Sequence, residues 1–277
     1  MLYSLSSSVV TRITHNTINE LNIQPILTNI PNYQSFFYTF HTVAPIVIGR
    51  LHNDYIESTE PIRGGYVLLT SDNIHPCSAT EFLTSVKRLV DMYLHLMRGI
   101  QLLNSVSIVH LNICFRNIVV KDGLLPLLQG FEHATNVISP NNMLTRPVEC
   151  RAIKHILAHK LASISLSTIL DICGDNKEEQ TFLSKYINKP AGTIIKSLLQ
   201  LSNTWNVYSL NELFLGLLNN PHTPNSFLSK WKQCLERGTG TVDRGTPAYF
   251  IDRTCALMYD ANMTELTTTT ASSATLL

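Results

Sequence analysis

Apolar side chains recur at intervals of three and four through the middle of this chain. Phe82, Val86, Leu89, Val90, Tyr93, Leu96, Met97, Ile100 and Leu103 trace one helical face through about six turns, with polar positions between them. The stripe predicts a buried helical strut, with Leu96 and Ile100 turned to the core.

Residues 1–70 are mixed and richer in strand patterns. Ile46-Val47-Ile48 and Tyr66-Val67-Leu68-Leu69 predict short buried strands. A helix is expected over Thr17–Leu27, bent or ended by Pro25 because proline lacks a backbone donor. Pro31-Asn32 marks a turn, and the aromatic stretch Tyr33–Phe40 predicts a small core of its own. Beyond the strut, Ser107–His110 predicts a loop. Ile118–Val120 and Leu124–Leu128 predict two strands joined by a hairpin turn at Lys121-Asp122-Gly123. After Pro147 the pattern is mainly helical, over Ala152–Leu161, Ser167–Ile172, Ile194–Leu201 and Leu210–Leu218, the last closed by Asn219-Asn220-Pro221. The stretch Thr267–Leu277 is low in complexity and is expected to be disordered unless a partner orders it. No internal repeat is visible.

Composition narrows the classes. Charged residues make up 15% of the chain, against roughly 25% in ordinary soluble domains. The difference is made up by Ser, Thr, Asn and Leu. Such a surface suits burial against a partner, although compositional drift produces the same bias. The net charge of +1 provides no field that would steer the chain to nucleic acid or to an anionic membrane. No apolar run reaches the roughly 18 residues of a membrane span. The opening Met1–Leu5 lacks a basic n-region, so no signal peptide is expected. Cys77, Cys114, Cys150, Cys173, Cys234 and Cys255 are scattered, without a CxxC pair. They are expected to be reduced thiols rather than a disulfide framework.

The candidate chemistry lies just past the strut. The loop reads His110-Leu111-Asn112-Ile113-Cys114-Phe115-Arg116-Asn117-Ile118-Val119-Val120, followed by Pro126-Leu127-Leu128-Gln129-Gly130-Phe131-Glu132. A long helix, a His-containing loop and two strands joined by a turn resemble the catalytic centre of protein kinases. There H-x-D is followed after four residues by Asn, and later by D-F-G. The separation of His110 from Asn117 is the kinase one. The resemblance is strongest to the kinase-like proteins of large DNA viruses, which look like I-V-H-x-D-I-K-x-x-N-I, a turn, then P-x-I-I-D-F-G. Asn19–Ile23 with Ile30–Phe37 is similar to their N-lobe signature. Pro147-Val148-Glu149 resembles A-P-E, and Asn203–Leu210 resembles the start of their central C-lobe helix, T-W-D-x-Y-S-L. The matching segments run from about residue 17 to about residue 240 and keep their order.

The resemblance implies an α+β, protein-kinase-like bilobed fold. Its parts are a reduced N-lobe over 1–70, a mainly helical C-lobe over 71–262 and a tail over 263–277. It also implies that the chemistry has gone. Asn112 stands at the base position, and a carboxamide accepts no proton near neutrality. Cys114 replaces the lysine of the catalytic loop, and Gly130 replaces the metal-binding aspartate of D-F-G. Asn117 alone is a poor ligand for a divalent cation, which favours anionic oxygen. Glu132 puts a negative charge where the last glycine of D-F-G would be.

The first lysine is Lys87 and the first glycine Gly49. No strand lysine or glycine-rich loop is therefore expected, with too little chain before Glu20 to build such a loop and no partner for Glu20. His110 is expected to bond backbone, Asn117 to cap the loop, and Phe131 to sit in the core.

The expectation is thus a pseudokinase without enzymatic activity, cofactor or metal. It would act through protein contacts, with viral structural or capsid proteins as the implied partners, and be located in the virion or host cytoplasm. Nucleic-acid binding and a membrane span are not expected. The alternative is a degenerate serine/threonine kinase with residual nucleotide binding or activity. A third reading is an unrelated helical binding module.

Other motifs carry less. His155 and His159 share a helical face as in H-E-x-x-H, but Ile156 occupies the general-base position. Gly64-Gly65 and Gly238-Thr239-Gly240 are read as turns, and no Ser-His-Asp grouping emerges.

Overall fold

The computed structural model describes residues 2–5, 9–14, 18–40, 42–46, 51–52, 55–56, 66–72, 84–120, 125–138, 177–185, 187–190, 193, 196–197, 199–219, 225–239 and 245–267. Within them the chain is a mixture of helices and small antiparallel sheets, mostly helical, which agrees with an α+β class.

The first strands are β1 (Leu2–Leu5) and β2 (Val9–Thr14), followed by helix α1 (Ile18–Thr28) and β3 (Thr42–Ile46). Two short strands, β4 (Leu51–His52) and β5 (Tyr55–Ile56), pair with each other, and β6 (Tyr66–Asp72) follows. Strands β1, β2, β6 and β3 form one antiparallel sheet in that order. Ile13 of β2 lies between Leu2 and Leu68, and Ala44 of β3 pairs with Leu68 from the other side. Pro45 is on β3 at the sheet's edge, where a missing N–H costs no ladder bond. The sequence pattern anticipates β6 but not the β1–β2 hairpin. The strand expected at 46–48 meets β3 at Ile46, and residues 47 and 48 lie outside the described residues.

Helix α1 lies within one residue of the helix expected over Thr17–Leu27 and is not ended by Pro25. Pro25 lies inside it, and the helix continues to Thr28. Pro25 is exposed, so water can reach the carbonyl that loses its intrahelical donor.

The strut is α2 (Val86–Ser105), started by Ser85, whose Oγ accepts from Arg88 N at 3.1 Å. Phe82 lies outside the described residues. Leu96 is 1% exposed and Ile100 fully buried. Burial extends around most of α2, because the helices Ser202–Leu218, Pro247–Asp260 and Met263–Thr267 and the strands Ile108–Val109 and Pro126–Leu128 all pack on it. Tyr93 shows how this core is closed. Its ring meets Phe214 and Trp231 edge-on, at centroid separations of 5.1 and 5.3 Å, while its hydroxyl donates to Asn211 Oδ1 at 2.8 Å.

After α2 come β7 (Ile108–Val109), β8 (Ile118–Val120), β9 (Pro126–Leu128) and β10 (Thr135–Asn136). Strand β8 pairs with β9 and β7 with β10, both antiparallel. The remaining helices are α3 (Lys177–Ser184), α4 (Ser202–Leu218), α5 (Ser226–Arg237), α6 (Pro247–Asp260) and α7 (Met263–Thr267). Helix α4 begins eight residues ahead of the apolar pattern at Leu210. Its first turns carry buried polar side chains, Asn206 and Ser209, which conceal the period. Met263–Thr267 is helical although its composition groups it with the tail. The helices expected over 152–161 and 167–172, the Pro147 segment, and His155 with His159 lie outside the described residues.

Candidate functional site

The loop from His110 to Asn117 and the turn at Gly130 lie side by side because β8 pairs with β9. Ile118 is opposite Leu128, so the residues flanking both strands meet at one end. Gln129 N donates to Asn117 O at 2.9 Å, and Gln129 Nε2 donates to Arg116 O at 3.0 Å. Strand β9 is also tied to the segment following α1. Leu128 N donates to Phe36 O at 2.9 Å, and Tyr38 N donates to Leu128 O at 2.8 Å. Helix α1 packs on the turn Phe131–His133 and on β10.

His110 is completely buried. Asn112 N donates to its Nδ1 at 3.3 Å, so Nε2 carries the ring proton and donates to Gln129 O at 2.9 Å. That tautomer satisfies both ring nitrogens. Burial lowers the His110 pKa to about 4, against the upward pull of the Gln129 carbonyl and the Glu132 charge. The ring is neutral near pH 7 and faces Phe131, 4.7 Å away between centroids. Phe131 also meets Phe37 edge-on at 6.0 Å. The His110–Phe131 pair thus belongs to the core.

Asn206 of α4 anchors the loop from below. Its Oδ1 accepts from His110 N at 2.8 Å, and its Nδ2 donates to Ile108 O at 3.2 Å. The sequence resemblance places an aspartate here, but this geometry needs both a donor and an acceptor, which only the amide supplies.

Asn112 is buried, and its Oδ1 lies 3.6 Å from Cys114 Sγ, a weak thiol contact. Asn117 is buried too. Its Nδ2 donates to Asn112 O at 2.8 Å and its backbone N to Cys114 O at 2.9 Å, closing the loop on itself.

Gly130 has φ +76°, in the left-handed region, and a β-carbon there would lie 2.6 Å from Asn117 Oδ1. The space that a D-F-G aspartate would need is therefore filled by Asn117. Among the described residues, no three His, Cys, Asp or Glu side chains are grouped to hold a metal. Asn117 offers one neutral oxygen, which does not fit a divalent cation.

The structure brings His110, Asn112, Cys114, Asn117, Gly130 and Phe131 together, with Glu132 on the same turn. What can be done chemically there is limited. His110 is neutral near pH 7 and is bonded through both ring nitrogens.

No family model and no curated protein matches the chain. Among the described residues, no helix is long and apolar enough to cross a membrane.

Three features escape the sequence reading. Asn206 is visible there only as a deviation from T-W-D. Gln129 gives no motif signal, although both its backbone and its side chain fasten the loop. The third is Arg12, on β2 opposite Tyr3 and Leu69, on the strand that leads into the helix bearing Glu20. A count of lysines passes over it. Glu20 is buried and holds an interaction of its own, so the expectation that it lacks a partner is corrected.

Proposed function

We propose that this chain is a catalytically inactive kinase-like protein that works through protein contacts, as a structural or interaction component of a viral particle. The observation carrying this reading is the contact of Asn117 with Gly130. In a working kinase the two positions hold magnesium together. Here one side chain fills the volume of the other. Restoring a carboxylate would therefore not restore the site. Several electrostatic contributions to phosphoryl transfer are missing together: the base at Asn112, the loop lysine at Cys114 and the metal carboxylate at Gly130.

The bilobed kinase-like architecture is part of the same proposal. It is supported by the four-stranded sheet with α1 between β2 and β3, and by the order strut, His loop and paired strands. The assembly role rests on a low charged fraction, which leaves a surface easier to desolvate in a contact. A chain that keeps this framework without its chemistry is suited to serve as a shaped surface.

Arg12 favours a second reading, residual nucleotide binding, because it puts a cation on the strand before α1. Incubation with labelled ATP, magnesium or manganese and generic protein substrates separates activity from its absence. The inactive reading gives no label above background. Labelling that disappears in Asn117→Ala would overturn it.

A further inference from the structure

Helix α7 has five residues, far below the about 12–15 at which isolated helices become even marginal. Its helicity must come from elsewhere, and the contacts show where. Asn262 and Glu265 form a reciprocal capping box: Glu265 N donates to Asn262 Oδ1 at 2.9 Å, and Asn262 N donates to Glu265 Oε2 at 3.3 Å. The other carboxylate oxygen of Glu265 accepts from Ser226 Oγ, on the first turn of α5. Asn225, the N-cap of α5, donates from Nδ2 to Glu265 O at 3.0 Å. Beside these polar ties, Leu266 is buried, and α7 packs against α2 and α5. One carboxylate thus serves two purposes: it caps its own helix and fastens that helix to the neighbouring one.

We propose that residues 261–267 are a releasable strap and that Ser226 is its latch, opened when an anionic group is placed on Ser226 Oγ. Ser226 is exposed. Its hydroxyl ties the first turn of α5 to a carboxylate of α7. Phosphorylation by a separate kinase would form an O–P bond at Oγ and break the bond from the γ-phosphorus to the β–γ bridging oxygen of a nucleoside triphosphate. The diphosphate leaves, and the hydroxyl proton passes to that enzyme's base. The modified residue can no longer donate, and it sets a dianion against the Glu265 carboxylate. Repulsion removes Glu265 from the latch and the capping box together, so the strap loses its helix and its anchor in one step. Leu266 then leaves its seat, and an apolar slot on α2 and α5 opens. This inference is independent of the inactive-kinase reading.

Hydrogen exchange across residues 261–267 of the full chain tests it in four variants. Ser226→Asp loses the bond and adds repulsion, so it is expected to speed exchange there by more than the about tenfold that loss of one charge-assisted hydrogen bond gives, with α2 still protected. Ser226→Ala removes the bond without adding charge and is expected to loosen the strap less. Ser226→Asp combined with Glu265→Gln removes the repulsion and is expected to restore protection, whereas Glu265→Gln alone is expected to keep it. Native protection in Ser226→Asp would overturn the proposal. So would a double variant as loose as Ser226→Asp, or Ser226→Ala as loose as Ser226→Asp.

Discussion

Asn117 fills the space beside Gly130: a β-carbon on Gly130 would fall 2.6 Å from Asn117 Oδ1. Gly130→Asp is therefore expected to weaken the fold, not revive a metal site. The left-handed backbone costs a side chain about 1–2 kcal/mol. Displacing Asn117 also breaks its bond to Asn112 O, adding about 1 kcal/mol. Urea denaturation should show a loss of about 2–3 kcal/mol, and an unchanged midpoint would show that Asn117 moves aside freely.

His110 makes stability depend on pH. Its folded pKa is lowered to about 4, while the unfolded chain titrates near 6.5. Between these values the unfolded state binds the extra proton, so its stabilising share is full above about pH 6.5 and is lost as pH falls toward 4. The loss is about 3 kcal/mol. Burial lowers His95 as well, so it contributes in the same direction. Urea midpoints at pH 7 and pH 4.5, compared with His110→Asn, isolate the His110 share. A variant with the same pH slope as the wild type would contradict it.

Ile100 is fully buried on α2, and Ile100→Ala should cost about 2–5 kcal/mol through lost transfer energy and a cavity. An unchanged denaturation midpoint would show that this face is not the core one.

Gly238 is pressed against Asn211. An added β-carbon would lie 1.8 Å from Asn211 Nδ2 and 2.7 Å from Phe250 Cζ. Asn211 is held by Tyr93 and cannot retreat without losing that bond. Gly238→Ala is expected to destabilise by about 3 kcal/mol or more, whereas Gly216→Ala, with nothing within 4 Å, should be neutral or slightly stabilising. Equal thermal midpoints for the two variants would refute the difference.

The contrast between α2 and the elements around it explains what the sequence made legible. The period of α2 is readable because the stripe from Val86 to Leu103 is apolar, and Leu96 and Ile100 lie where that period puts them. The loop residues, His110 to Asn117 and then Gly130, are singled out through the resemblance to kinase motifs. The first turns of α4 are not readable from their period, because Asn206 and Ser209 are buried through hydrogen bonds rather than by hydrophobicity. The β1–β2 hairpin is hidden because its strands are short and carry Ser, Thr and Arg among the apolar positions. The Asn117–Gly130 collision requires the strand pairing of Ile118 with Leu128, which no local pattern specifies.

The central claim is that the chain takes no metal-bound nucleotide. A thermal-unfolding titration of the full chain with millimolar magnesium-ATP addresses it most directly, since a ligand held by the folded state alone must raise the melting temperature. The account predicts no shift in the wild type and none in Asn117→Ala. A rise of several degrees in the wild type, abolished in Asn117→Ala, would contradict it.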